Sequence, residues 1–223
     1  LITRTDYGSP GGIGEIRGTR TMVNKDPWSL PMSWETILEY SLESRNITPK
    51  VGQIYARTEW IHQGVYFSFL TVFRNPDDLS DGEIDYFLRH EKDVFDIYLA
   101  TSRNGIDWDY TWLDANVPVL PRGPNGSFDK DIIIPASSPV LKDGKLIVYY
   151  SGANERHSVE PKSWAISRAI WDQNRIVCQE SEDGWGVTDF MSSTQNYIGL
   201  DLKAPKGYIR ISLVVSEDNE DAT

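Results

Sequence analysis

The sequence has a single cysteine, three histidines and no long apolar run. Cys178 therefore cannot form a disulfide within the chain, and its apolar surroundings, RIVCQE, favour a small buried hydrophobic residue. Because no stretch of about 18 apolar residues occurs, the sequence predicts no membrane-spanning helix. The first residues, LITRTDYGSPGG, lack the basic start and apolar stretch of a signal peptide and are typical of the inside of a domain.

Metal and phosphate sites also lack a signature. The three histidines lie far apart with no paired ligand spacing, so no metal and no cofactor are expected, although an all-oxygen calcium site would leave no pattern to detect. The run Gly11-Gly12-Ile13-Gly14 is glycine-rich, but no Lys-Ser/Thr pair and no helical pattern follow it. It predicts a flexible connection instead.

Basic residues are the minority among the charges. The 22 Lys and Arg residues face 33 Asp and Glu residues, which gives a net charge of −11. Such a protein repels phosphate backbones and anionic membranes, so nucleic acid and membrane surfaces are excluded as expected partners. Two glycosylation sequons, at Asn46 and Asn125, are compatible with a secreted protein, and the localisation stays open.

Aromatic residues are abundant. They make up 12% of the chain, with 8 Trp and 11 Tyr. Such side chains fill β cores and also form the platforms on which sugar rings stack. At 223 residues, the chain is long enough for one large or two small domains with a core.

Strand-like patterns dominate the chain. The runs VYFSFLTVF (65–73) and KLIVYY (145–150) are apolar on both faces and predict central strands. In SRNGIDW (102–108), Asn-Gly between hydrophobic runs predicts a hairpin with a two-residue turn, over which Trp108 folds back. Only residues 80–95 have helix-like spacing, and they predict a short helix or a long loop.

The sequence also repeats itself. Residues 55–70 align with 135–150, and the matched pairs are Ala56 with Ala136, Thr58 with Ser138, Ile61 with Leu141, Gly64 with Gly144, Tyr66 with Leu146 and Phe69 with Tyr149. Residues 98–108 align with 163–176, which places Ala100 on Ala165, Ser102 on Ser167 and Arg103 on Arg168. IRGTRT (16–21) is a more divergent earlier copy of the repeat, and its hairpin would close near Trp34.

A repeated four-stranded antiparallel unit that cannot bury both faces alone predicts propeller blades. One blade would span about 53–115 and the next about 131–183, while 1–45 would supply part of a preceding blade. Two alternating strands around a Lys-Gly turn in YIGLDLKAPKGYIRISLVVSED predict the start of a β-sandwich. The predicted domains are therefore propeller blades over 1–190 and a β-sandwich from 191 to 223. A ring needs at least four blades, so a longer protein or other chains must complete it.

Three segments, DIYLATSRNGIDWDY, PVLPRGPNGSFDKDIIIPASSPVLKDGKLIVYYSGANERH and WAISRAIWDQNRIVCQESEDGWGVTDF, carry a resemblance to a family. In this order they resemble the last blades of the five-bladed β-propeller glycoside hydrolases, a group that includes arabinanase-like, invertase-like and mannoside-phosphorylase-like proteins. The resemblance covers roughly residues 50–200. It implies an all-β fold, a C-terminal part of a longer protein and a carbohydrate bound at the propeller axis.

Glycoside hydrolysis needs two carboxyl groups about 5 to 9.5 Å apart, one protonated and one ionised. The resemblance places candidates where strands open or leave the axis, with Asp131 and Glu155 as catalytic residues. Four further residues are candidate sugar contacts: Asp129, Asn154, His157 and Glu59. The alternatives are turn-capping or solvated aspartates, a surface salt-bridged loop at 155–157 and, for Glu59, an exposed rim position.

The chain departs from the family at the general acid. The family's glutamate stands shortly before a proline on the innermost strand, where this chain has Ser137 in one blade and Arg57 in the other. In the phosphorylase-like relatives an aspartate follows the strand at the position of Asn154. Two functions therefore stay open: a glycoside hydrolase using carboxylate acid-base chemistry, and a catalytically silent propeller that binds glycans or proteins in an extracellular assembly.

Overall fold

The computed structural model describes residues 2–8, 15–26, 28–30, 33–41, 52–74, 92–177 and 210–212. The chain divides into two compact units, Leu1–Ile176 and Val177–Thr223. The second unit is described only at Val177 and 210–212, which carry no strand. Cys178, the predicted domain boundary at 190 and most of the β-sandwich predicted over 191–223 lie outside the described residues. These three expectations therefore stay predictions.

The first unit begins with a small antiparallel sheet. It contains β1 (Ile2–Gly8), β2 (Glu15–Val23) and β3 (Glu35–Ser41), in that order. The predicted hairpin after IRGTRT is present as β2 and β3, with Trp34 directly before β3. The Trp34 indole donates a hydrogen bond to the Ser29 hydroxyl at 2.8 Å and so closes the connection.

A larger, strongly curled sheet follows. Its first half, here called the first meander, contains β4 (Gly52–His62), β5 (Val65–Arg74), β6 (Val94–Ser102) and the short β7 (Trp108–Asp109). Each strand pairs antiparallel with the next. β5 is a central strand, as predicted, and its residues 68–73 are buried. The helix α1 (Thr111–Asp114) follows, and it is the single α-helix of the described residues.

The second half, the second meander, contains β8 (Ile132–Pro135), β9 (Val140–Lys142), β10 (Lys145–Ala153) and β11 (Trp164–Asp172). β8 and β9 both pair with β10, so they are two pieces of one interrupted strand. The pairing of β9 is shifted by two residues from that of β8. Pro135 and Pro139 flank the break, and a proline cannot donate to a strand ladder.

Two turns confirm the register of the repeat over residues 55–70 and 135–150. Gln63 and Gly64 join β4 to β5 with φ values of 50° and 75°, and Asp143 and Gly144 join β9 to β10 with φ values of 51° and 71°. Positive φ at both positions is the geometry of the two-residue hairpin turn that follows the twist of a sheet. The match of Gly64 with Gly144 is therefore structural.

The turn at 103–107 differs from its prediction, because five residues separate β6 from β7. Gly105 has a φ of 75°, but Asn104 uses its side chain: its carbonyl oxygen accepts hydrogen bonds from the backbone N–H groups of Ile106 and Asp107 at 2.9 and 2.8 Å. The amide side chain thus organises a longer loop. Trp108 does fold back, and its indole N–H donates to the Gly105 carbonyl at 3.1 Å.

The second half of the repeat has a different register from the predicted one. Ala100 pairs with Ser68 in the first meander, and the position that corresponds to Ser68 in the second meander is Val148. Val148 pairs with Ala169. The partner of Ala100 in the repeat is therefore Ala169, and its predicted alignment with Ala165 is wrong.

The two meanders join along one line. Phe95 of β6 forms a parallel bridge with Ile132 of β8, and both pack with Phe73 and Ala153 in a buried apolar cluster. The described residues thus form an all-β structure with almost no helix. Within the predicted helix or loop at 80–95, residues 80–91 lie outside the described residues and Val94 and Phe95 begin β6. The five-bladed ring stays a prediction.

Candidate functional site

A cluster of charged side chains lies where β8 begins and β10 ends. We call it the Asp131 cluster, and it consists of Lys130, Asp131, Glu155 and Arg156. The buried strand IIIP makes β8 adjacent to both β6 and β10, so the residue before it is fixed from two sides. The Asp131 carbonyl accepts a hydrogen bond from the Phe95 N–H at 2.9 Å, and the Asp131 N–H donates to the Ala153 carbonyl at 3.2 Å.

Ion pairs hold the cluster together. Lys130 Nζ lies 2.6 Å from Asp131 Oδ2 and 4.0 Å from Glu155 Oε2, and Arg156 Nε lies 3.3 Å from Asp131 Oδ1. Asp131 Oδ2 and Glu155 Oε2 both face Lys130 Nζ. The distance between these two oxygens therefore cannot exceed the sum of their distances to Nζ. That separation lies below the upper limit of about 9.5 Å for glycosidase carboxyl pairs. The Asp131 side chain is 8% exposed, whereas the Glu155 side chain is 36% exposed and can reach solvent.

Asp129 lies beside this cluster but has its own partner. Its Oδ2 accepts a hydrogen bond from the Tyr150 hydroxyl at 2.8 Å, and burial raises the pKa of that hydroxyl. The loop that carries Asp129 packs tightly on β10, because a Cβ at Gly152 would lie 2.6 Å from the Asp129 Cβ. Asp129 and Asp131 are both buried, so their alternative as solvated carboxylates is wrong.

Asn154 and His157 follow the end of β10 beside the cluster, and their side chains make contacts that support the fold. The Asn154 side-chain oxygen accepts a hydrogen bond from the Ser163 N–H at 2.9 Å. The His157 ring packs on Tyr55, Phe73 and Phe95, with centroid distances of 5.9, 6.0 and 5.0 Å. This packing fixes the end of the loop that carries Glu155.

Glu59 belongs to a different cluster, on β4. Arg57 Nη2 lies 2.5 Å from Glu59 Oε1 and also donates a hydrogen bond to the Thr21 hydroxyl, and the Arg57 guanidinium lies 5.4 Å from the centre of the Trp108 ring. Burial raises the pKa of Glu59, and the positive charge of Arg57 lowers it to a smaller extent. The Glu59 side chain is only 17% exposed, so the exposed rim position is wrong.

The structure therefore brings five of the six candidate residues to one region and leaves Glu59 in another. The sequence analysis did not name Lys130, and it considered Arg156 only as part of a salt-bridged surface loop. Their signal was the alternation of opposite charges in DKD and NER, where each candidate carboxylate has a basic neighbour. Arg57 was noticed only as a residue that cannot replace an acid, because its partners Thr21 and Trp108 are far from it in the sequence.

The described residues contain neither a metal-binding group nor a membrane-spanning helix. Among them, no group of three or more His, Cys, Asp or Glu side chains is placed to hold a metal ion. None of their helices has the length and apolar character needed to cross a membrane.

Comparisons with known proteins give one similar structure. No protein-family model matches the sequence, and no curated protein matches it. The chain is similar to an N-acetylgalactosamine deacetylase from F. plautii, solved in complex with blood group B trisaccharide, with a TM-score of 0.46 and 14% sequence identity. The match covers 78% of this chain and 47% of that chain, so the chain spans about half the length of that protein. A similarity at this level assigns neither a fold family nor an activity.

Proposed function

We propose that the chain is part of a glycoside-hydrolase-like β-propeller protein that takes a carbohydrate at the Asp131 cluster. Glu155 would act as the residue that reaches the sugar, and Asp131 as the buried second carboxylate. The observation that carries this proposal is the shared contact of both carboxylates with Lys130 Nζ, at 2.6 and 4.0 Å. It keeps the two carboxylate oxygens closer together than the upper limit of about 9.5 Å for glycosidase carboxyl pairs.

The position of the cluster supports the same proposal. Asp131 precedes β8 and Glu155 follows β10, so the cluster lies at the ends of two neighbouring strands of one meander. Catalytic and binding residues are common on loops that a rigid sheet positions. The two meanders repeat one strand arrangement with matching turns, as propeller blades would, although β6 and β8 join them in one sheet here. The resemblance in sequence adds a carbohydrate ligand to this picture.

A second candidate function is a catalytically silent sugar-binding module. Both Asp131 oxygens contact a cation, Lys130 on one side and Arg156 on the other. Ser137 and Arg57 stand where the related enzymes have their general acid, and neither can serve as a carboxylic acid. Such a protein would bind a glycan through the cluster without cleaving it.

Substitution of the two carboxylates tests both functions. The full-length protein and the variants E155Q and D131N are assayed for hydrolysis of a panel of 4-nitrophenyl glycosides and for binding to a glycan array. An enzyme loses turnover by about 100-fold or more in both variants while glycan binding persists. The control is D143N, since Asn also tolerates the positive φ of that turn and the site is untouched.

Each outcome supports or rejects one part of the proposal. Glycan binding without hydrolysis by the unaltered protein supports the silent module and rejects the enzyme. If the unaltered protein neither binds nor cleaves any of these compounds, the carbohydrate proposal is wrong. Equal loss in D143N and E155Q would also reject the assignment of the cluster.

A further inference from the structure

Arg122 connects the Asp131 cluster to the first meander. It lies in the connection between α1 and β8, and its Nε is 2.7 Å from Asp96 Oδ1 on β6. Its Nη1 donates a hydrogen bond to the Lys130 carbonyl at 2.8 Å. One planar guanidinium therefore contacts both a carboxylate of a buried strand and the backbone of the cluster. Because its N–H donors are held at fixed angles, the two contacts are fixed relative to each other.

Asp96, the carboxylate that binds Arg122, is itself held in place. Asp96 is 2% exposed, and its other oxygen lies 2.8 Å from Arg74 Nε. A buried carboxylate held by two guanidinium groups has little freedom to move, because every displacement lengthens a charge-assisted hydrogen bond. Arg122 thus starts from a rigid point of the first meander.

The peptide between Lys130 and Asp131 is held at both of its polar groups. Arg122 binds its carbonyl oxygen, and Ala153 of β10 accepts its N–H. A peptide unit is planar, so fixing these two groups fixes its orientation and the positions of the Cα atoms of Lys130 and Asp131. The side chains on these two Cα atoms are the Lys130 ammonium and the Asp131 carboxylate, which meet at 2.6 Å.

We propose that Arg122 is a positioning residue for the Asp131 cluster. It holds the Lys130–Asp131 peptide in the one orientation that places the ammonium of Lys130 between the carboxylates of Asp131 and Glu155. The use of the cluster in carbohydrate chemistry rests on the proposed function, whereas the control of its geometry by Arg122 does not.

Arg74 provides a matched control for the test. Both R122M and R74M remove one of the two guanidinium partners of Asp96, at nearly equal distances, but only Arg122 continues to Lys130. The two variants are expected to lose similar stability, which chemical denaturation measures. In R122K the charge is kept, but an ammonium is a point charge that cannot replace the fork.

The test measures the environment of the two carboxylates of the cluster directly. The side-chain carboxyl ¹³C signals of Asp131 and Glu155 are recorded by NMR at one neutral pH, and turnover or glycan affinity is measured beside them. We expect R122M and R122K to move both signals and to lower turnover or affinity by up to about 100-fold, the cost of a misplacement near 1 Å. R74M should leave both signals and the activity close to those of the unaltered protein.

Three results would overturn the proposal. These are signals in R122M that match those in R74M, full rescue of the signals by R122K, and activity lost equally in R122M and R74M. If the unaltered protein shows no activity or binding, the proposed function fails, and the carboxyl signals still decide the role of Arg122. Should R122M not fold, R122K supplies the same comparison.

Discussion

The two meanders share a plan and differ in what covers them. Phe69 of the first meander and Tyr149 of the second occupy matching positions after matching turns, yet they are 1% and 43% exposed. Ile97 and Ile166 also match by their pairing, and they are 1% and 81% exposed. The strand pattern is thus repeated while the burial is not.

This difference shows what local sequence can and cannot specify. Alternation and turn residues determine that a strand forms and where its hairpin closes. Whether a face is buried depends on what packs against it, and that is set by the neighbouring sheets. KLIVYY is apolar on both faces and was predicted to be a central strand. Its central position in the sheet is confirmed, but Tyr149 and Ile147 lie on the less buried face of β10.

The largest expected effect comes from truncating the matching aromatic residues. F69A removes a fully buried ring and should lower the free energy of unfolding by about 3 to 5 kcal/mol. Y149A removes a ring that is nearly half exposed and should cost about 1 kcal/mol or less. Denaturant titrations of both variants measure the contrast, and similar losses would show that the two faces are equally covered in solution.

A smaller effect is expected at Gly152 of the second meander, whose matching residue in the first meander is Val72. A Cβ at Gly152 would lie 2.6 Å from the Asp129 Cβ and 2.8 Å from a ring carbon of Phe128. G152A should therefore cost about 1 to 3 kcal/mol by overpacking and displace the loop before β8. S151A, on the other face of β10, is the control and should change stability little. A neutral G152A variant would contradict the close packing of this loop.

The smallest effect concerns Tyr150, whose match in the first meander is Leu70. Y150F removes the hydrogen bond to Asp129 Oδ2 and should cost about 1 to 2 kcal/mol near neutral pH. Because burial raises the pKa of Tyr150, its contribution is complete below the unfolded value of about 10 and is lost as the pH rises through the higher folded value.

Stability curves of both proteins from pH 7 to 11 check this sign. The advantage of the unaltered protein over Y150F should be constant from pH 7 to 9 and shrink as the pH rises above 10. An advantage that grows with pH would mean that the ionised tyrosine is stabilised by its surroundings.

The sequence predicted the sheet better than its loops. The turns at Gly64 and Gly144 were recognisable because glycine is the residue that takes positive φ without strain, and the strands around them alternate. The loop at Asn104 was mispredicted because an asparagine can satisfy a turn with its side chain as well as with its backbone. The register of β11 could not be read, since a link of ten residues separates it from β10 and leaves several alignments equally plausible.

The candidate site was predictable in its position and not in its bonding. Asp131 and Glu155 come together because each lies at the end of a strand that pairs with its neighbour, which the sequence pattern shows. That Lys130 contacts both carboxylates depends on side-chain directions across the sheet, which no spacing encodes. Glu59 was grouped with them by analogy between the meanders, but its ion pair with Arg57 belongs to the first meander.

The hydrogen bonds of Asp131 to Phe95 and Ala153 have a wider consequence. The junction of the two meanders runs through the backbone of the very residue that the cluster is built on. All four charged side chains belong to the second meander, yet the first meander holds the peptide between two of them. A change of register between the meanders would break the hydrogen bond of Asp131 to Phe95 and separate the two contacts of Arg122, while every strand stayed intact.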